Sequence, residues 1–416
     1  MTLLVGENSA GKSTVLAMVR AAWDIAFGST EPDFNEQPFD LGGFEAIAHY
    51  HGGQGKRVHE FKIGGEFPLN HRDKDEVRSV QGTFRERTGQ PVLSKWSAKQ
   101  GPTRLSVDAA DPERVRVRAK HGKTILFDER VPERRRRTHL ALDAFLAART
   151  QAVEAEASGH GKEGRSVDRR SLELLELLPG ALTSTPPRPF AGAPIRSKPE
   201  RTYDPKRGLP EPEGSHVPME LAALSVTDPD QFHKLMHEIT EYGKAANLFE
   251  ALEVKRLGKK SGDPFQLLIA ADRFPFNLRD VGYGVSQILP ILVDTLRAPR
   301  GQTFLLQQPE VHLHPRAQAA LGSLIATQAA KRKQTFIVET HSDYLVDRIR
   351  MNARNRDKSR LSASDVIILY FERLAGRTTG QAMIHPIEID EDGNVVDVPR
   401  GYRQFFLDEE RKLLGL

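Results

Sequence analysis

One segment constrains this chain more than any other: "GENSAGKST", Gly6 to Thr14. It follows the apolar run Thr2 to Val5 and opens an apolar-periodic stretch from Lys12 to about Phe27, so strand, glycine-rich loop and helix come in that order. It fits the pattern G-x-x-x-x-G-K-[ST] in full. In such a loop the backbone N–H groups of Gly6, Glu7, Asn8, Ser9, Ala10 and Gly11, with the positive end of the helix behind them, surround a phosphate. Lys12 reaches the outer phosphates, Ser13 offers a hydroxyl to Mg²⁺, and Thr14 continues into the helix. A fortuitous glycine turn gives no packing reason for a lysine and a serine at these two places.

At 416 residues the chain is long enough for two or three domains. No apolar run approaches the ~18 residues that span a bilayer. With no cysteine there are no disulfides and no cysteine zinc sites, which is compatible with a reducing cytoplasm. The opening residues lack the charged, apolar and small-residue regions of a secretory signal. A net charge of +4 is too small to imply a nucleic-acid partner. The run Arg134 to Arg137 has two readings, a solvated helix end or a DNA contact, with Glu154 and Glu156 soon restoring the balance.

The expected fold class is α/β, in four parts. Residues 1–131 form a first lobe with the phosphate loop and strands at "RVHEFKIGGEF", "SVQGTFRER", "TRLSVDA", "ERVRVRAK" and "KTILFDE". Residues 132–182 form a helical insertion, and 183–218 a proline-rich loop without regular structure. Residues 219–416 form a second lobe of alternating helices and strands, with one helical stretch expected over 228–257. The pair Asp392–Gly393 reads as a hairpin turn rather than as part of a nuclease acid cluster.

Three further motifs stand in the second lobe. "TFLLQQPEVHLHP" is an apolar strand ending in two amides, Gln307 and Gln308, with Glu310 the one carboxylate of the segment. Glutamine orients water but cannot take its proton, so any hydrolysis relying on these positions is slow unless Glu310 or another acid substitutes. "TFIVETHSDYLV" puts His341 at the end of the next apolar strand, 33 residues after Gln308, where it suits a γ-phosphate contact. The alternative for His312, His314 and His341 is a metal cluster, but the "HLH" belongs to a turn after the strand and no matching carboxylate constellation accompanies it. "RDVGYGVSQILPIL" places Gly282, Gly284, Ser286 and Gln287 at a helix start, either as an anion site or as a plain Ser286 cap.

Taken in order, these pieces resemble the ABC-type ATPases of the SMC, Rad50, RecF and OLD group, most closely the bacterial AAA family ATPases that carry "EPExHLHP". Besides the motifs above, "APIRSKPERTYDP" and "DEDGNVVDVPRGYRQFF" carry the likeness. The resemblance implies an ABC-type ATPase head using ATP and Mg²⁺. Two subunits would meet head to tail, with Gly282, Gly284, Ser286 and Gln287 of one addressing the γ-phosphate held by Lys12 of the other. In most relatives the positions of Gln307 and Gln308 are acids, the first holding Mg²⁺ and the second polarising water. Metal contacts would then fall to Ser13, Gln307 and Gln37, the last also readable as a surface loop residue. Catalytic contacts would fall to Gln308, Glu310 and His341. Relatives usually carry a further segment ahead of the first strand, expected to contribute to the adenine pocket.

The implied function is a slowly hydrolysing, cytoplasmic switch ATPase. It would form homodimers or higher even oligomers and control a nuclease or toxin encoded nearby, in anti-phage defence of the Septu, PARIS or OLD-like kind. The 75 residues after His341 are too few for a Toprim nuclease in this chain. The alternatives are a RecF- or Rad50-like repair ATPase that binds DNA, and a nucleotide-loaded scaffold. A transporter subunit fits least, because the signature is not LSGGQ and the helical insertion between loop and signature is far longer than coupling to a membrane partner needs.

Overall fold

The computed structural model describes residues 1–28, 31–48, 58–68, 77–111, 114–132, 186–205, 209–271, 274–354, 361–374, 382–399 and 401–414. The expected helical insertion and the Arg134 to Arg137 run lie outside the described residues. The chain divides into two compact units, one of residues 1–13 and 189–416, the other of residues 14–188. The first strand therefore belongs with the C-terminal half, not with the β-rich lobe in which the sequence alone would put it.

Strand β1 (Thr2–Gly6) leads through the glycine-rich loop into α1 (Lys12–Phe27), whose first two residues close the first segment of one unit and whose remainder opens the other. In the 14–188 unit a short helix α2 (Phe44–Ile47) precedes six antiparallel strands in simple meander order: β2 (Glu60–Pro68), β3 (Val77–Arg87), β4 (Gln90–Gln100), β5 (Thr103–Asp108), β6 (Arg114–His121) and β7 (Thr124–Pro132). Alternation explains these strands. In β6, Val115, Val117 and Ala119 are buried while Arg114 and Arg116 are exposed, the signature of a sheet covered on one face. The buried faces and the apolar side of α1, including Ile25 and Phe27, form one core with Phe84, Trp96 and Leu105. Sequence pattern missed β4, because "QPVLSKWSAKQ" carries Pro91 near its start and puts the polar Ser94 on the buried face; exposed Lys95 and Lys99 nevertheless alternate with buried Trp96 and Ala98, and the Trp96 indole N–H donates to the Ile25 carbonyl at 3.0 Å.

The other unit is built on a seven-stranded sheet of order β16-β15-β14-β1-β13-β12-β8. Its elements, in chain order, are β8 (Phe190–Gly192), α3 (Val217–Thr227), α4 (Pro229–Ala246), β9 (Ala251–Arg256), β10 (Phe265–Ala270), β11 (Pro275–Asn277), α5 (Tyr283–Arg297), β12 (Thr303–Gln307), α6 (Pro315–Arg332), β13 (Thr335–Glu339), α7 (Asp343–Arg354), β14 (Ile367–Arg373), β15 (Ala382–Ile389), β16 (Val395–Val396) and α8 (Gln404–Leu414). Strands β8, β12, β13, β1 and β14 run parallel. The central ones are apolar on both faces: Leu3, Leu305, Phe336 and Val338 are all buried, as parallel strands flanked by helices require. The β15–β16 pair closes around Asp392–Gly393 as an antiparallel hairpin.

Two expectations need correction. The proline-rich stretch 183–218 is not wholly irregular: β8 lies within it as the edge strand, where the neighbouring prolines cost no ladder bond. The helix expected to run to residue 257 stops at Ala246, because Asn247 turns left-handed at φ 55° and accepts the role of a C-terminal cap; "ALEVKR" beyond it alternates and forms β9.

Candidate functional site

The glycine-rich loop is fixed from below by β14. Gly6 has φ 127°, and a Cβ there would lie 2.2 Å from the Phe371 carbonyl oxygen, so only glycine lets the backbone turn off β1 at this point. The next N–H, of Glu7, donates to that same carbonyl at 3.2 Å. Lys12 is buried and folds back over the loop, its Nζ donating to the carbonyls of Glu7 at 2.6 Å and Gly6 at 3.1 Å. Burial lowers its pKa from the usual lysine value, while Glu339 and Glu7 pull the other way. The lysine thus stands as a desolvated cation in a loop of backbone amides, which is what an incoming polyphosphate needs.

Ser13, which heads α1 beside Lys12, donates its hydroxyl to Glu339 Oε2 at 2.6 Å. Glu339 ends β13, the strand between β1 and β12, and pairs in register with Leu4 on one side and Gln307 on the other. Sequence reasoning passed over this residue. The signal in the sequence is an acid directly before the Thr340–His341 pair, at the end of an apolar strand.

At the end of β12, Gln307 is buried opposite Glu339. Gln308 turns left-handed at φ 41° and donates its N–H to the Glu339 carbonyl at 2.8 Å. Glu310 is also buried, and its Oε1 accepts the His341 N–H at 2.8 Å while the Thr340 hydroxyl donates to the carboxylate as well. Its Oε2 has no hydrogen-bond partner. Burial raises its pKa, countered by those hydrogen bonds and by the nearby Arg196 guanidinium. A carboxylate so held orients the His341 backbone. The His341 ring reaches solvent, and its pKa is lowered by partial desolvation and by Lys12, against the pull of Glu339, so it is neutral at pH 7. Lys12, Ser13, Glu339 and His341 therefore share one locality.

The expected signature segment opens α5, with Gly282 at the N-cap and exposed. Gly284 lets this helix approach the turn after β12: a Cβ there would come within 2.8 Å of the His312 carbonyl oxygen, and the Tyr283 and His312 rings lie 5.5 Å apart. Ser286 donates its hydroxyl to the Tyr283 carbonyl at 3.0 Å and lines a cavity of about 230 Å³ walled by Ser197, Lys198, Tyr203, Met219 and Pro290. Gln287, 1% exposed, has its side-chain oxygen accepting the Arg196 N–H at 3.0 Å and its amide donating to the Arg196 carbonyl at 3.4 Å. It is occupied within the fold. Arg196 is 4% exposed, and burial pushes its pKa down to about 10, against the pull of Glu310.

Gln37 lies in the 14–188 unit, exposed, with its backbone carbonyl accepting from Arg20 at 2.9 Å. Thr14 is the first residue of that unit and is likewise exposed. The histidine cluster considered for a metal does not assemble: His312 faces Tyr283, and His314 caps α6. Among the described residues, one group brings three ligand atoms within 4.8 Å of one another, His216, Glu220 and Asp294. There the Glu211 N–H donates to His216 Nδ1 at 3.0 Å, which leaves the proton on Nε2, facing Asp294 at 2.9 Å. A protonated Nε2 offers no lone pair, so the cluster is a structural clasp between α3 and α5. For Mg²⁺, the oxygen donors that fit a hard cation are the Ser13 hydroxyl and the Glu339 carboxylate, with the Gln307 amide on the adjoining strand.

Residues 1–347 match the family described as "AAA domain, putative AbiEii toxin, Type IV TA system". No curated protein matches the chain. Among solved structures, an SMC head bound to the C-terminal winged-helix domain of ScpA is 12% identical, with 94% of this chain and 91% of that one covered and a TM-score of 0.41. The SMC head domain from Thermotoga maritima is 9% identical over 93% and 90%, with a TM-score of 0.34. An SMC head with an extended coiled coil, bound to a ScpA C-terminal domain from Pyrococcus furiosus, is 9% identical over 99% and 93%, at 0.37. Since the family match spans most of the chain, the chain belongs to this AAA-domain family. No helix among the described residues is long and apolar enough to cross a membrane.

Proposed function

We propose that this AAA-family chain is an ATP-binding, slowly hydrolysing switch that clamps Mg²⁺-bound ATP between two copies of itself and controls a nuclease or toxin partner. The observation that carries the reading is the pairing of a complete phosphate loop with an incomplete hydrolytic end. Lys12 and Ser13 stand beside Glu339 and His341, yet both residues closing β12 are amides and Glu310 is tied to the His341 backbone. Such a site favours a long-lived bound state. The trans contact would come from the exposed start of α5, where helix N–H groups and Gly282 face outward. The toxin–antitoxin wording of the family description supports a toxin-linked, defence role. Lys12→Ala should abolish ATP-dependent association in size-exclusion runs with ATP and Mg²⁺; an ATP-dependent dimer that survives this change would sink the mechanism.

A second reading, DNA binding as in repair ATPases, is favoured by one feature of the 14–188 unit. Lys99, Arg104 and Lys120 sit directly opposite one another on β4, β5 and β6. Like charges in register repel, so the row is costly unless an anion lies across it. DNA-stimulated ATP turnover that weakens on mutating this row would favour that reading.

A further inference from the structure

The metal side of the site lacks the acid expected at the end of β12, and an acid stands one strand closer to the loop. We propose that Glu339 is the carboxylate that completes the Mg²⁺ site with Ser13, taking over the charge that Gln307 lacks. This rests on the nucleotide reading of the loop.

Three observations carry it. First, a hydroxyl has one proton and two lone pairs, and the Ser13 proton already points to Glu339 Oε2 at 2.6 Å. The Ser13 lone pairs are left for a cation, and the short bond is charge-assisted. Second, β13 lies between β1 and β12, and Gln307 and Glu339 are partners in register. Moving the acid from β12 to β13 shifts it by one strand spacing, roughly 4.8 Å, toward the strand that leads into the loop. Third, the other nearby groups are unsuited. Gln307 and Gln308 carry no charge, and Glu310 has its Oε1 on the His341 N–H, whereas the Ser13 hydroxyl donates to Glu339. A carboxylate beside Lys12 also balances that lysine's charge, and that balance is available to Mg²⁺ when the lysine turns to phosphate.

The competing role for Glu339 is a mere anchor for the Ser13 hydroxyl. Glu339→Gln separates the two, since the glutamine oxygen still accepts from Ser13 but carries no charge. The full chain, its Glu339→Gln and Gln307→Glu/Glu339→Gln variants and a Lys12→Ala control would be titrated with a fluorescent non-hydrolysable ATP analogue. Each titration is run without metal, then at fixed analogue against Mg²⁺, with Mn²⁺ binding followed by paramagnetic resonance. The expected result is metal-free binding in Glu339→Gln that is no weaker than wild type, with metal affinity of the nucleotide-loaded protein lower by about 10- to 100-fold. The double variant should recover most of it. Metal affinity unchanged in Glu339→Gln overturns the assignment, as does a loss of metal-free binding equal to the loss with metal, which marks a loop anchor. If the wild-type chain binds the analogue under neither condition, the nucleotide reading itself fails and the assignment with it.

Discussion

The buried pair Arg196 and Glu310 offers a test whose outcome depends on the order of four proteins rather than on any single value. Burial lowers the Arg196 pKa to about 10, and at 1.36 kcal/mol per pH unit its charge costs the fold about 3 kcal/mol. Below pH 10 it is charged both folded and unfolded, so this cost is constant across the neutral range. Glu310 is buried with a raised pKa, and the nearby Arg196 guanidinium works against that rise. The readout is hydrogen exchange of the His341 amide, whose N–H donates to Glu310 at 2.8 Å. Arg196→Met drives Glu310 toward its neutral form and turns a charge-assisted bond into an ordinary one, a loss of about 1 to 1.5 kcal/mol, or roughly tenfold faster exchange. Glu310→Gln keeps an acceptor but strands a buried guanidinium at a cost of about 3 to 5 kcal/mol, hence more than roughly a hundredfold. The double variant buries no charge, and should fall back to the level of Arg196→Met. Exchange in the double variant faster than in Glu310→Gln, as simple addition demands, would refute the coupling.

Gly6→Ala sets a methyl 2.2 Å from the Phe371 carbonyl in a left-handed backbone, and should cost about 3 kcal/mol or more, seen as a lowered melting temperature without nucleotide; a melt within a degree or so of wild type would mean that β14 yields there. Gln308→Glu should raise the steady-state rate of phosphate release from ATP by about 100-fold or more, as expected for adding a general base. An unchanged rate would place water activation elsewhere. His341 is held below the ordinary histidine value, so its stability contribution is present above pH 6.5 and is lost as pH falls toward its folded value. Between pH 7.5 and 5.5 the wild type should lose more thermal stability than His341→Gln, and equal losses would contradict this.

The strand, loop and helix at the start of the chain were readable because each obeys a local rule: apolar run, glycines at fixed spacing, helical periodicity. The sheet neighbours of that loop were not. Nothing local in "TFIVETH" says that Glu339 will lie between β1 and β12, since parallel strand order is decided by crossovers many residues long. The same holds for Gln287, which reads as a loop-facing polar residue in sequence yet spends its amide on Arg196, 91 residues earlier. The edge strand β8 was masked by its prolines, and β9 by the helix-forming residues around it.

The positions of Ser286 and Gln287 bear on how a second subunit could engage this one. Their polar groups are satisfied inside α5 and against Arg196, so breaking those bonds to meet a partner's phosphate would leave buried groups unpaired at about 1 to 3 kcal/mol each. Only the exposed turn at Gly282 and Tyr283 can make a trans contact without that cost. What Gln287 does provide is a link: it holds the Arg196 backbone, the Arg196 charge supports Glu310, and Glu310 holds the His341 amide beside Lys12. The start of α5 is thus connected to the phosphate loop by hydrogen bonds between Gln287 and Arg196 and from His341 to Glu310, with electrostatic steps between Arg196 and Glu310 and between His341 and Lys12. Under the proposed clamp, a partner would then act through helix position rather than through a donated serine.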